Sequence, residues 1–152
     1  MIDSQQPANN VTRQNNLPAT ALVWGLRLLG GLDLLALVAV VMPLSWMSRI
    51  NDYCGLGPLP DSPIVGYLAR TSSGMYALHG TVLMFVSTDI HRYRQFIKFL
   101  AITLLLYGPI LLGIDLSIGM PLLWTLSEGP TCSGTGLLIL WLQRQSMQHS
   151  DP

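Results

Sequence analysis

The chain has 152 residues, of which half are hydrophobic and only 11% are charged. Charged residues make up roughly a quarter of a typical soluble domain, so this composition lacks the polar surface that a water-soluble fold needs. Lysine and arginine balance aspartate and glutamate at eight each, which argues against a nucleic-acid or other polyanionic partner.

The chain begins with a polar segment. Residues 1–18 are rich in asparagine and glutamine and have few apolar side chains to bury, so they are predicted to form a disordered tail. A cleaved secretory signal would place a basic region before a short apolar stretch. Here the apolar stretch begins late, runs long and contains Arg27 and Asp33. It is therefore predicted to remain in the protein as its first membrane helix.

Four long apolar segments follow, each close to the roughly 20 residues that cross a bilayer as a helix. They predict an all-α fold, an integral membrane four-helix bundle over residues 19–143, followed by a short polar tail at 144–152. The lipid bilayer is the predicted environment, with a multi-pass location in the cell membrane. The predicted helices cover residues 19–47, 64–88, 96–114 and 120–142.

Basic residues indicate the orientation of the bundle. The connection between the second and third helices holds three basic residues between positions 92 and 98, whereas the first connection holds Arg49 beside Asp52 and Asp61. Short cytoplasmic loops collect lysine and arginine. Both termini are therefore predicted to be cytoplasmic. The third connection, a tight turn around residues 115–119, is predicted to lie outside with Asp115.

Proline and glycine predict departures from regular helix. The first connection, residues 48–66, is dense in both and is predicted to be an extended, ordered turn structure. Pro109 is expected to kink the third helix. In the fourth helix, residues 128–136 are mostly small or helix-breaking. They have two interpretations: a break that forms an ion or substrate site, or small residues that admit a neighbouring helix, with Pro130 only bending the span.

Small residues also recur on one face of the second helix. Ala69, Ser73, Ala77 and Thr81 are spaced four residues apart, and Gly80 lies beside them. Another helix backbone can pack closely against such a stripe, which matters because lipid offers no hydrophobic drive for helix association. The stripe predicts either a compact bundle within the chain or a homo-oligomer formed through this face.

The predicted helices contain a set of ionisable side chains. An ionised group inside a bilayer costs from about 3 to more than 10 kcal/mol, so each is expected to face a partner or water. Arg27 and Asp33 lie six residues apart on one helix and point to different faces, so their partners are expected on other helices. This candidate polar cluster comprises Arg27, Asp33, Arg70, His79 and Glu128.

The polar cluster has two open interpretations. In the functional one, it forms a proton or ion relay or a quinone site, with His79 as the titrating group because histidine changes charge near neutral pH. In the structural one, buried salt bridges hold the helices in register. Arg70 is then expected to pair with Glu128 or Asp33, and His79 to bond a hydroxyl such as that of Thr81, or a carbonyl.

No complete catalytic pattern is present in the sequence. Cys54 and Cys132 are predicted at different membrane depths, so no disulfide is expected between them. The three histidines lack metal-ligand spacing, and no nucleophile elbow, phosphate loop or nucleotide fingerprint occurs. We therefore predict no catalytic residue, no metal or cofactor site, no nucleic-acid partner and, on balance, no enzymatic activity.

One segment carries a family resemblance. The run Leu26-Arg27-Leu28-Leu29-Gly30-Gly31-Leu32-Asp33, together with four spans in a chain of this length, resembles small bacterial membrane proteins of the DoxX-like kind. The resemblance implies a bacterial inner-membrane location. Some members of that family are subunits of quinone-reducing oxidoreductases, but the matching segment transfers no catalytic residue.

Three functions remain open at this point. The preferred one is a structural or accessory subunit of a membrane complex, because no catalytic pattern is complete. The alternatives are a small proton- or ion-coupled transporter and a quinone-binding oxidoreductase subunit, and both would use the polar cluster.

Overall fold

The computed structural model describes residues 17–148 and is helical over most of that range. No strand occurs among these residues, so the predicted all-α fold class is confirmed. The tails at 1–16 and 149–152 lie outside the described residues. In chain order the helices are α1 Leu17–Leu34, α2 Ala36–Val41, α3 Leu44–Tyr53, α4 Pro63–Val86, α5 Arg94–Ile118 and α6 Leu122–Gln148.

Two helical stretches are long and apolar enough to cross a membrane. They are Leu17–Val41, which combines α1 and α2, and Arg94–Ile118, which is α5. The helices α4 and α6 are not among them, because runs of small and polar residues such as Arg70 to Gly74 and Ser127 to Gly136 lower their hydropathy.

The first predicted helix ends earlier than expected. Helix α2 stops at Val41, and Met42 and Pro43 both have extended backbone, with ψ of 140° and 139°. The physical reason is the proline ring, which disfavours helical backbone in the residue before it. Residues 44–47 therefore belong to a separate helix, α3, and not to the first span.

The first connection is also more helical than predicted. Helix α3 continues to Tyr53, so the non-helical part of the connection is limited to residues 54–62. Two hydrogen bonds hold that segment onto α3: the Asn51 side-chain amide donates to the Gly57 carbonyl at 2.7 Å, and the Leu59 amide donates to the Ser48 hydroxyl at 3.0 Å. The polar face of α3 thereby orders the Pro-rich loop.

The boundaries of the last two helices differ from the predictions as well. Helix α5 runs to Ile118 and ends at Gly119, which has left-handed backbone with φ of 72°. The predicted turn at 115–119 is therefore mostly helix. Helix α6 extends to Gln148, so residues 144–148 are helical and not part of a polar tail.

The two internal prolines do not interrupt their helices. Helix α5 continues through Pro109 and α6 continues through Pro130. The interpretation of residues 128–136 as a broken helix is therefore wrong. The alternative, close approach of a neighbouring helix, is what the structure shows.

The chain divides into two compact units. Among the described residues, the first unit contains 17–25 and 86–148, and the second contains 26–85. Helices α5 and α6 pack together in the first unit through glycines. A Cβ on Gly129 would lie 2.8 Å from the Gly108 carbonyl oxygen, and one on Gly136 would lie 2.5 Å from the Ala101 carbonyl oxygen. Only glycine permits backbones to approach this closely.

In the second unit, α1 and α4 pack in the same manner. Here the contact is centred on Gly80 and not on the whole predicted stripe. Ala77 is buried as predicted, but Thr81 is exposed and its hydroxyl donates to the Ala77 carbonyl of its own helix at 2.9 Å. The stripe is therefore a packing surface only over part of its length.

Candidate functional site

Helices α1 and α4 meet at two glycines. A Cβ built on Gly80 would lie 2.6 Å from the Gly30 carbonyl oxygen, and one on Gly30 would lie 2.9 Å from the Gly80 carbonyl oxygen. Any side chain at either position would force the two backbones apart. This crossing determines which neighbouring side chains can touch.

The crossing brings Asp33 and His79 together. Asp33 lies one helical turn after Gly30, and His79 immediately precedes Gly80, so both project from the point of closest approach. The distance from His79 Nδ1 to Asp33 Oδ2 is 2.7 Å. The two side chains form an ion pair when the imidazole is protonated.

The Asp33–His79 pair is only partly shielded from its surroundings. The side-chain exposure is 16% for Asp33 and 32% for His79. A carboxylate that accepts from an imidazole Nδ1–H fixes the orientation of the ring and strengthens the hydrogen bond through its charge. The Nε2 atom of His79 is not used in this contact. The pair therefore has the chemistry of a proton acceptor and donor as well as that of an interhelical tether.

This pairing corrects two sequence predictions. Asp33 has His79 as its partner, and not Arg70. His79 is bonded by a carboxylate, and not by the Thr81 hydroxyl or a carbonyl. Periodicity places each residue on a helix, but the pairing depends on where α1 and α4 cross.

The other members of the predicted cluster have separate surroundings. The exposed Arg70 guanidinium makes a long contact to the Met42 carbonyl at 3.5 Å, at the end of α2. Glu128 accepts a hydrogen bond from the Trp124 indole N–H at 2.7 Å, one turn earlier on α6. Arg27 lies on an exposed face of α1. Because Arg70 and Glu128 belong to different units, their pairing stays a prediction.

One buried carboxylate is not predicted by the sequence patterns. Asp115 was predicted to lie in an outer turn, but it lies in α5 with 5% exposure, and its Oδ2 has no hydrogen-bond partner among the described residues. Its main-chain carbonyl accepts from the amides of Gly119 and Met120. A glycine C-cap four residues after an aspartate is the signal that would have placed Asp115 inside the helix.

Comparisons of the chain with protein-family models, with curated proteins and with solved structures gave no match.

Proposed function

We propose that the chain is a multi-pass membrane protein that serves as an accessory subunit of a membrane complex. The observation that carries this proposal is the outward-facing apolar surface of its helices. In the most apolar 18-residue stretch of Leu17–Val41, only 11% of the residues are buried. In the corresponding stretch of Arg94–Ile118, only 17% are buried. Trp24, Leu28 and Leu32 are between 58% and 65% exposed. Such a surface requires lipid or another protein against it.

Helix α3 supports the same environment. Trp46, Ile50 and Tyr53 share one face of this short helix and are each more than half exposed, whereas Ser48 and Asn51 bond the following loop. A short helix with an exposed aromatic and apolar face suits the boundary between lipid and water. We place α3 at the outer interface of the bilayer.

The topology we propose has four spans, with α4 and α6 crossing as well as α1–α2 and α5, and with both termini in the cytoplasm. The basic residues between positions 92 and 98 support this orientation.

Cysteine labelling tests the number of spans. Ser62 immediately precedes α4, and Gln95 lies in the first turn of α5, after the connection that follows α4. Each can be replaced by cysteine in a chain lacking Cys54 and Cys132, which are both free thiols. In intact cells a membrane-impermeant maleimide is expected to label Ser62→Cys but not Gln95→Cys. Labelling of both after permeabilisation is the control. A protein in which α4 does not cross would show the two positions on the same side.

The accessory role predicts a stoichiometric protein neighbour. We expect a photo-reactive residue at Leu28, which is 65% exposed, to cross-link to one protein partner in native membranes. The matched control is Leu26, which is 1% exposed and should give no intermolecular product. Mass spectrometry identifies the product. Cross-links to lipid alone would contradict the accessory role, and a second copy of the chain would indicate a homo-oligomer.

The Asp33–His79 pair favours a second candidate, a proton-coupled transporter. Its 2.7 Å contact and the partial exposure of His79 would allow a proton to be taken up and released within an apolar helix pair. Reconstituted vesicles carrying an internal pH dye would then show a proton flux that His79→Gln abolishes. Asp52→Asn, which alters an exposed carboxylate on α3, is the control. Equal flux in all variants and in empty vesicles would exclude this candidate.

A further inference from the structure

The first unit contains a cavity of about 350 Å³ where the start of α5 faces the end of α6. Leu22 and Ile90 form an apolar wall and are nearly fully buried. His91, Arg94, Gln143 and Ser146 supply polar groups. The volume falls within the range of small-molecule sites, about 300 to 1,000 Å³.

The polar lining is built from both helices. The buried Gln143 amide donates to the Arg94 carbonyl at 2.5 Å, which ties α6 to the first residue of α5. The buried Ser146 hydroxyl donates to the Gln143 carbonyl at 2.9 Å. The first contact fixes the main chain of Arg94, so the Cα atom that carries its side chain has a fixed position at the rim of the cavity.

The rim of the cavity carries the cationic side chain of Arg94. The Arg94 side chain and the His91 ring are both exposed, and no acidic side chain in the described part of the chain forms an ion pair with either. The nearest carboxylate in sequence, Asp89, accepts from the Arg92 main-chain amide at 2.9 Å. The guanidinium of Arg94 is therefore available to an anion.

We propose that this cavity binds the phosphate group of an anionic phospholipid. Arginine presents N–H groups in a planar fork that matches phosphate oxygens, and the His91 ring offers a further N–H. Met147 also lines the cavity and is 39% exposed, so it offers apolar surface to the part of the lipid below its headgroup. Basic pockets between membrane helices on the cytoplasmic side bind such headgroups. The inference goes beyond the accessory role but rests on the proposed membrane location.

The test measures lipid binding to the purified full chain. In detergent micelles doped with phosphatidylglycerol, native mass spectrometry should show one retained lipid, and phosphatidylcholine should not be retained. Arg94→Gln is expected to weaken retention about tenfold, the effect of losing one charged hydrogen bond. Lys98→Gln is the matched control, because it removes the same charge one turn along α5 from a residue that does not line the cavity.

Three results would overturn the proposal. Equal weakening by Arg94→Gln and Lys98→Gln would mean that general charge attraction, and not the cavity, retains the lipid. Unchanged retention in both variants would place the lipid elsewhere. Binding of inorganic phosphate that depends on Arg94, without retention of phosphatidylglycerol, would indicate a soluble phosphate ligand. Because none of these measurements reports the number of spans, failure here is distinguishable from failure of the four-span topology.

Discussion

Replacing Gly136 by alanine is expected to destabilise the chain by about 1–3 kcal/mol, the usual cost of overpacking a tight contact. The new Cβ would lie 2.5 Å from the Ala101 carbonyl oxygen and 2.8 Å from the Leu105 amide nitrogen, both main-chain atoms of α5. Main-chain atoms cannot move aside as the end of a flexible side chain can, so the helices must separate. Unfolding in mixed detergent micelles measures the effect.

Gly134 provides the matched control for this substitution. It lies two residues away on the same helix, and a Cβ there would meet nothing within 4 Å. Gly134→Ala is therefore expected to be neutral, or to stabilise α6 by up to about 1 kcal/mol through helix propensity. If both variants unfolded alike, the close packing of α5 against α6 would not contribute to stability.

Breaking the Asp33–His79 pair is expected to have the second large effect. Asp33→Asn and His79→Gln should each destabilise by about 2 kcal/mol, between the value of an exposed ion pair and that of a fully buried one. This intermediate value follows from side-chain exposures of 16% and 32%. The double variant should cost less than the sum, with a coupling of about 1–2 kcal/mol.

The same unfolding assay supplies the control for this cycle. Asp52→Asn removes an exposed carboxylate from α3 and should change stability by less than about 0.5 kcal/mol. Additive single effects would show that Asp33 and His79 do not interact. A stabilising His79→Gln would instead indicate that the imidazole is retained for proton transfer and not for packing.

A strong coupling together with no proton flux would assign the pair a structural role. Its position next to Gly30 and Gly80 suits that role, because a charged hydrogen bond at a helix crossing fixes both the depth and the rotation of α1 against α4. Coupling accompanied by flux that requires His79 would favour the transporter candidate. The two experiments together therefore separate a structural role of the pair from a role in proton transport.

Composition and periodicity by themselves determined the helical fold class. Apolar runs of about 20 residues allow few alternatives to helix, since main-chain groups in an apolar environment must bond internally. The same patterns located Asp33 and His79 on their helices and identified small residues as packing positions. Helix ends were less well predicted: Pro43 ended the first helix earlier than expected, whereas Pro130 did not interrupt α6.

Only the tertiary structure decided which residues meet. Pairing of Asp33 with His79 depends on the crossing at Gly30 and Gly80, and a sequence read one helix at a time does not say which two helices cross there. The burial of Asp115 and the cavity beside Arg94 likewise arise from the packing of α5 against other elements. Helical propensity and hydropathy are local properties of a segment, whereas distances between side chains on different helices are set by how closely their backbones can approach.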